Sequence, residues 1–534
     1  MFLLYKKGNV CYTTESNNDL EIINESNENH TRIIVEAKER VELCKAYIDL
    51  DYKFNKSCNL FFNGYQSWTD SFELNSKSKE KNINKPFLRK KVCELYGLNK
   101  YGDSTFYKYK RNILHGYDIF YSKGNKSVFI YSLNYVNAYL IFEYQKNKFL
   151  RLTSDIEGKV LEKGQKFVIF DYKQFDNYYL GLESFNNDFK KNNERIFGYS
   201  SWYNMYQNIN EKLINDCLDA LDDRFNLFQI DDGYETKVGD WLSIDNTKFP
   251  NGLKPIVEKI HSKGLKAGIW VAPFAAEINS KLAIEHPDWL IKKNNKPVKC
   301  GVNWGGFYSL DLTNEDAKKY IIESLNYYKS LGFDFFKLDF VYAASVVVPN
   351  GYTRAEWQEY TYRFLRENLS DKLILGCGAN IFNSFNNFDY LRVGPDVSFK
   401  FDDVPYMRLL HRERNSTKNT IQNTIYRSIF DHHLFLNDSD VFLLRDDNIE
   451  LTLEQRKALI TINALFSSVL MTSDNISEYD EYKNNLLTDS LNLFLNAKDV
   501  KFQKEKENIN ISYTLDGSEE TITYDTIRGV LNGR

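Results

Sequence analysis

An N-terminal β-sandwich, a central (β/α)8 TIM barrel and a small C-terminal β-domain are predicted by three features of the 534-residue sequence. Short strand-like runs without helical periodicity fill the first part. From about Ile196, strand-like runs alternate with helical stretches, and from about Glu478 the pattern returns to strands. These shifts divide the chain into residues 1–185, 186–477 and 478–534, and its length suits two or three domains.

In the first part the runs are "RIIVEA", "KAYIDL", "NLFFNGYQSW", "SVFIYSL", "AYLIFEY" and "KFVIFDY", separated by turns rich in Asn, Lys, Ser and Gly. Many short strands with no helix between them suggest a sandwich. The second part offers eight candidate strands: "IFGYSSW", "NLFQIDD", "KAGIWVA", "DFFKLDF", "LILGCG", "DYLRVG", "HLFLND" and "SVLMTS". Helical patterns such as "NGLKPIVEKIHSKG" and "NEDAKKYIIESLNYYKSLG" lie between most of them. The second has acids early, Lys late and Gly near its end, which matches the helix dipole and a C-terminal cap. Strand–helix alternation implies a parallel sheet, and eight such units close into a barrel. The third part is read as strands from "NISYTL" and "ETITYDTI".

Composition excludes several functions. The formal net charge is −4, with no basic block or stripe, which argues against nucleic acid as the main partner. The seven cysteines, Cys11, Cys44, Cys58, Cys93, Cys217, Cys300 and Cys377, are scattered and form no CxxC pair. Neither a disulfide framework nor a zinc site is favoured, and a reducing compartment fits. The start "MFLLYKKGNV" has only a short apolar run before its charges, so it does not read as a signal peptide. No run is long enough to span a bilayer. A cytoplasmic protein with no membrane partner is expected. Aromatic residues make up 15% of the chain; they suit stacking on ring-shaped ligands and aromatic cores equally.

Polar chemistry gathers where the barrel strands end. In "FFKLDF", Lys337 and Asp339 are two residues apart, so on a strand they share a face. Burying such charges is costly unless they meet each other or a ligand. Other strand ends carry Trp202, the pair Asp231 and Asp232, Trp270, Cys377 with Gly378, and Arg392 followed by Asp396. In a barrel of this kind the active site lies at the strands' C-terminal ends. Trp rings stack on sugar faces while charged groups bind hydroxyls, so the cluster describes a carbohydrate site. Glycoside hydrolysis needs two carboxylates. Lys337 favours the charged carboxylate a nucleophile requires, which points to Asp339. Asp396, in a loop after Pro395, suits the general acid. A separation of about 5–5.5 Å would mean retention and about 6.5–9.5 Å inversion.

These residues resemble glycoside hydrolase family 36, the bacterial-type α-galactosidases. The motifs run in the family's order over most of the chain: "FNGYQSW" (62–68), "GYSSWYN" (198–204), "QIDDGYE" with "GDW" (229–241), "GIWVAPF" and "HPDW" (268–289), then "FFKLDF", "LGCGA", "LRVGPD" and "FLNDSD" (435–440). The resemblance implies the three-part fold and a retaining double displacement with no cofactor and no metal. Asp339 matches the nucleophile and Asp396 the acid/base. Asp231 and Asp232 match the carboxylates that recognise the O4 and O6 side of galactose, and Lys337 a ligand of ring hydroxyls. Cys377, Gly378 and Arg392 fall where the family contacts the C2 side. Trp202 and Trp270 match pocket aromatics, and Trp68 the ring lent by the N-terminal domain. The expected substrates are α-galactoside oligosaccharides of melibiose or raffinose type. The family uses several oligomeric states, so a homo-oligomer stays open. One departure is visible: where the family commonly has Trp after the acid/base, "GPDVSFKFDD" offers Phe399 or Phe401, which leaves the aglycone preference open.

Alternatives are an α-N-acetylgalactosaminidase or a galactosyltransferase of the same family, and a non-catalytic galactoside-binding protein. Intact Asp339 and Asp396 argue against the last. Asp334 reads as a strand-start residue, Asp240 as either a site residue or a loop anchor, and Trp289 as a packing residue. His432 and His433 adjoin on a strand-like run, so their side chains should diverge rather than chelate a metal.

Overall fold

The computed structural model describes residues 1–13, 18–78, 107–110, 112–146, 148–405, 408 and 414–533; Cys93 lies outside them. Two seven-stranded antiparallel sheets form the N-terminal part. One runs Val10–Thr13, Phe2–Lys7, Val41–Leu50, Phe149–Ser154, Leu140–Gln145, Ile113–Tyr117, with Val160–Leu161 beside the third of these. The other runs Leu20–Asn24, His30–Ala37, Lys166–Phe175, Val128–Ser132, Ile119–Lys123, Asn59–Phe62, Phe72–Leu74. Leu43, Phe120, Phe142 and Phe170 meet between them in a core of their own, as inward-facing alternate residues do in a sandwich. A helix, Tyr178–Asp188, then leads into the barrel.

Eight parallel strands close the barrel in chain order: Ile196–Ser200, Leu227–Ile230, Lys266–Val271, Phe335–Leu338, Leu373–Gly376, Tyr390–Arg392, Leu436–Phe442 and Val469–Thr472. All eight fall on the expected runs. The seventh starts three residues later than "HLFLND", because residues 431–435 form a turn. In that turn His432 Nε2 meets Ser468 Oγ at 3.0 Å while His433 Nδ1 faces the Phe189 carbonyl at 3.2 Å. The helix Glu315–Leu331 is capped by Asn314 at its start and by Gly332 in the left-handed region at its end.

The helix Glu481–Asn496, absent from the sequence reading, packs on the barrel helix Leu453–Phe466. A four-stranded antiparallel sheet follows, Lys498–Glu505, Asn508–Leu515, Ser518–Asp525 and Val530–Asn532. One hydrophobic core joins all three parts: Tyr121 and Phe129 of the sandwich and Ile511 of the last sheet belong with the barrel's Phe228, Phe336 and Leu470. No helix among the described residues is long and apolar enough to cross a membrane.

Candidate active site

The ends of the barrel strands surround a cavity of about 170 Å³ lined by Trp68, Trp202, Asp231, Asp232, Trp270, Lys337, Asp339 and Asp396. Eight of the eleven residues singled out in the sequence therefore share one cavity wall. It is small beside the roughly 300–1,000 Å³ of sites for drug-sized ligands, and in scale with one sugar ring.

Asp339 sits just past the fourth strand, 8% exposed. Trp270 Nε1 donates to its Oδ2 at 3.1 Å and Phe340 N to its Oδ1 at 2.7 Å. The second bond comes from the turn itself: Phe340 has φ +52°, a conformation costly for a bulky residue and typical of strain retained at functional sites. One carboxylate is thus held at both oxygens by groups that cannot rotate away.

Lys337 is buried, and its Nζ donates to Asp231 Oδ2 at 2.9 Å. Burial opposes its charge, but Asp231, helped by Asp339, outweighs burial and the repulsion from Arg392, so the ammonium is held above its usual value. Asp231 also accepts from Gln229 Nε2 at 2.7 Å. Asp232 accepts from Gln207 Nε2 at 3.0 Å and from Trp304 Nε1 at 2.9 Å. Burial raises its pKa against the pull of these donors. Behind it Glu235 is buried, and burial, followed by the charge of Asp232, pushes its carboxyl well above the carboxylate range. Glu235 and Asp232 thus titrate as an interacting pair rather than as two independent carboxyls.

Asp396 enters from the loop after the sixth strand, its side chain 37% exposed toward the cavity. Desolvation in that recess raises its pKa; the charge of Asp339 adds, and Arg392 acts against both. That is the direction a general acid requires.

Three of the expected site residues stand one layer back from the cavity wall. Cys377 is buried, its thiol pushed well above its usual value by burial and then by Asp339, which makes it a packing thiol rather than a nucleophile. Gly378, at φ +63°, supports Trp68: a Cβ there would lie 3.0 Å from that indole. Arg392 is held behind the cavity wall by Asp438 and Asp440 at 2.8 Å and reaches the cavity-lining Asp396 at 3.0 Å.

Trp68 arrives from the sandwich. Its loop is fastened to the barrel by Ser67 N donating to Ala379 O at 2.9 Å, and by the buried Arg427, which donates to the carbonyls of Gln66, Ser67 and Val393 at 2.6–2.9 Å. The ring meets Phe340 edge-on at 5.6 Å. Asn303, Trp304, Phe340 and Asn415 complete the wall. Asn303, Trp304 and Asn415 escape the strand-end rule because they lie away from the barrel strand ends, and Phe340, next to Asp339, reads in sequence as part of an apolar strand run. The one signal for Trp304 is the "NWGG" turn, where Trp304 and both glycines have positive φ.

Phe399 and Phe401 diverge. Phe399 stacks beneath Arg445 and near Tyr206, which touches Trp202, at the cavity mouth. Phe401 lies over Gly529 in the last sheet. Asp334 bonds His261 at 2.8 Å at the strand start. Asp240 is a loop anchor, accepting from the N–H groups of Lys281 and Leu282. Trp289 packs flat on His286.

Residues 173–368 match the melibiase family model. The α-galactosidase AgaA of Geobacillus stearothermophilus is 32% identical over 144 residues, 26% of this chain and 19% of that protein. Alpha-galactosidase 1 of Pediococcus pentosaceus is 32% identical over 158 residues, 28% and 21% of the two chains. The aligned stretches thus span about a fifth of these relatives. Among solved structures, the α-galactosidase TtGalA of Thermus thermophilus superposes with a TM-score of 0.70 at 22% identity, covering 94% of this chain and 98% of that one. The AgaA structure, a family 36 enzyme, gives 0.63 at 14% identity, covering 92% and 70%. The melibiase match lies across the strands that lead to Trp202, Asp231, Trp270 and Asp339, and the fold as a whole is that of solved family 36 enzymes.

Proposed function

We propose that the chain is a retaining α-galactosidase that removes terminal α-D-galactosyl residues from melibiose- or raffinose-type oligosaccharides. The observation that carries this reading is two carboxyl groups of opposite character on one sugar-sized cavity, Asp339 fixed at both oxygens and Asp396 with raised proton affinity. Asp339 attacks C1 while Asp396 donates its proton to the glycosidic oxygen, and the C1–O bond to the aglycone breaks. Asp396, now a carboxylate, takes a proton from water, and the water oxygen displaces Asp339 from C1. Asp231, Asp232 and Lys337 bind ring hydroxyls, their acceptors meeting the axial O4 that distinguishes galactose from glucose. Trp270, Trp304 and Trp68 provide faces and edges for the ring. The reading is supported by the names of the relatives and by the complexes of TtGalA with p-nitrophenyl α-D-galactopyranoside and with stachyose.

The test is hydrolysis of paired aryl α-glycosides, galactoside, N-acetylgalactosaminide and glucoside, with and without a hydroxyl acceptor. Hydrolysis of the galactoside well above the others is expected. Preference for the acetamido sugar would move the assignment to an α-N-acetylgalactosaminidase. Turnover only with acceptor would make it a galactosyltransferase, and galactose binding without turnover a lectin-like protein.

A further inference from the structure

The motif "FLNDSD" has a place in the fold that the reaction scheme leaves unused. The seventh barrel strand carries it, and the strand's register shifts between Asp438 and Val441. At this bulge Asp440 adopts φ +72°, a region Asp and Asn tolerate better than other side chains. The bulge turns the Asp440 carboxylate back toward the loop that carries Asp396. Its Oδ2 accepts from Val397 N at 2.8 Å, the peptide immediately after Asp396. Its Oδ1 meets Arg392 Nη2 at 2.8 Å. Tyr203 donates its hydroxyl to the same carboxylate, and Asp440 N is fixed to Asp438 Oδ1 at 2.8 Å. Asp440 itself is 1% exposed.

We propose that Asp440 is a positioning residue for Asp396: it holds the loop at Val397 and competes with Asp396 for Arg392. This rests on the role of Asp396 as acid/base. The charged and titratable groups facing Asp440 are Arg392 on the sixth strand, Asp396 on the loop beyond it, Asp438 on its own strand and Tyr203 after the first strand. One guanidinium thus serves three carboxylates. When Asp440 is ionised it draws Arg392 off Asp396 and adds its own repulsion, and both effects keep a proton on Asp396. Burial first, and then Asp396 and Asp438, raise Asp440 itself to about 7, so its charge changes within the working range.

The experiment is the pH profile of kcat/KM for wild type and Asp440→Asn, on an activated aryl α-galactoside and on one with a poor leaving group. Asn keeps the shape and accommodates the positive φ. It removes the negative charge and frees Arg392 for Asp396. The basic limb, which reports loss of the proton from the general acid, is expected to move to lower pH by about one unit. The loss at pH 7.5 should be larger on the poor leaving group. Tyr203→Phe removes the hydroxyl donor, leaves Asp440 more readily protonated, and should move the limb the same way by less. It decides the matter alone if the Asn variant does not fold. A uniform fall in kcat/KM with the basic limb in place, in whichever variant folds, would overturn the proposal and leave Asp440 a structural residue. Wild-type enzyme with no activity on any galactoside would remove the functional reading beneath it, an outcome separate from an unmoved limb.

Discussion

The two sides of the cavity handle negative charge in opposite ways. On the side of the second to fourth strands, Lys337 faces Asp231 alone at hydrogen-bond distance, and Asp339 takes two N–H donors from fixed groups. On the side of the sixth and seventh strands, Arg392 divides itself among Asp396, Asp438 and Asp440. The first arrangement fixes a carboxylate in place; the second crowds three carboxylates around one guanidinium, where burial and neighbouring charge raise the proton affinity of Asp396. On the proposed mechanism, this difference in the donors each aspartate is given is what would suit Asp339 and Asp396 to different steps.

Removing the carboxylate on the fixed side should have the largest effect. Asp339→Gly is expected to lower kcat by about 10³-fold or more with its thermal unfolding transition nearly unchanged, since the residue faces the cavity. Full activity in this variant would cancel the contrast between the two sides. On the crowded side, Asp396→Ala should cost about 10²–10⁴-fold on poor leaving groups and much less in the first step on activated aryl galactosides. Equal losses on both substrates would mean that Asp396 supplies no proton.

A third prediction separates charge pairing from catalysis. Lys337→Met strands Asp231 as an uncompensated buried charge, a change that costs about 3–5 kcal/mol, measurable by urea denaturation. A loss below about 1 kcal/mol would show that Gln229, or water entering the space, suffices to hold the Asp231 charge. The smallest effect is expected at the rim. Trp68→Ala removes one aromatic contact and should raise KM for galactosides about tenfold with kcat changed less, by analogy with the ~1–3 kcal/mol of ring stacking on flat partners. An unchanged KM would mean that the sandwich contributes no sugar contact.

The fixed side was the more legible in sequence. Asp339, Lys337, Trp270 and the Asp231–Asp232 pair lie on or just after regular strands, where two-residue alternation and the strand-end rule assign direction. The crowded side depends on a bulge. Nothing local in "FLNDSD" announces that Asp440 takes a left-handed conformation and turns under the loop of Asp396. For the same reason Arg392, which sequence alone aimed at the sugar, is instead held by carboxylates remote in the chain. Trp304 and Asn303 come from a 3₁₀ turn between the short strands Lys299–Gly301 and Phe307–Ser309, and Gln207 from another single 3₁₀ turn. The helix Glu481–Asn496 was hidden by its Asn and Thr content, poor helix formers that packing on Leu453–Phe466 overrides.

The central claim, that Asp339 and Asp396 act as nucleophile and acid/base in a double displacement, is tested most directly by the anomer released first. Proton NMR recorded within minutes of adding enzyme to an aryl α-galactoside would follow the anomeric signals before mutarotation. α-Galactose appearing first, with β-galactose growing only as the sugar equilibrates, is the predicted result. β-Galactose appearing first would mean that water attacks C1 directly, and would contradict the account.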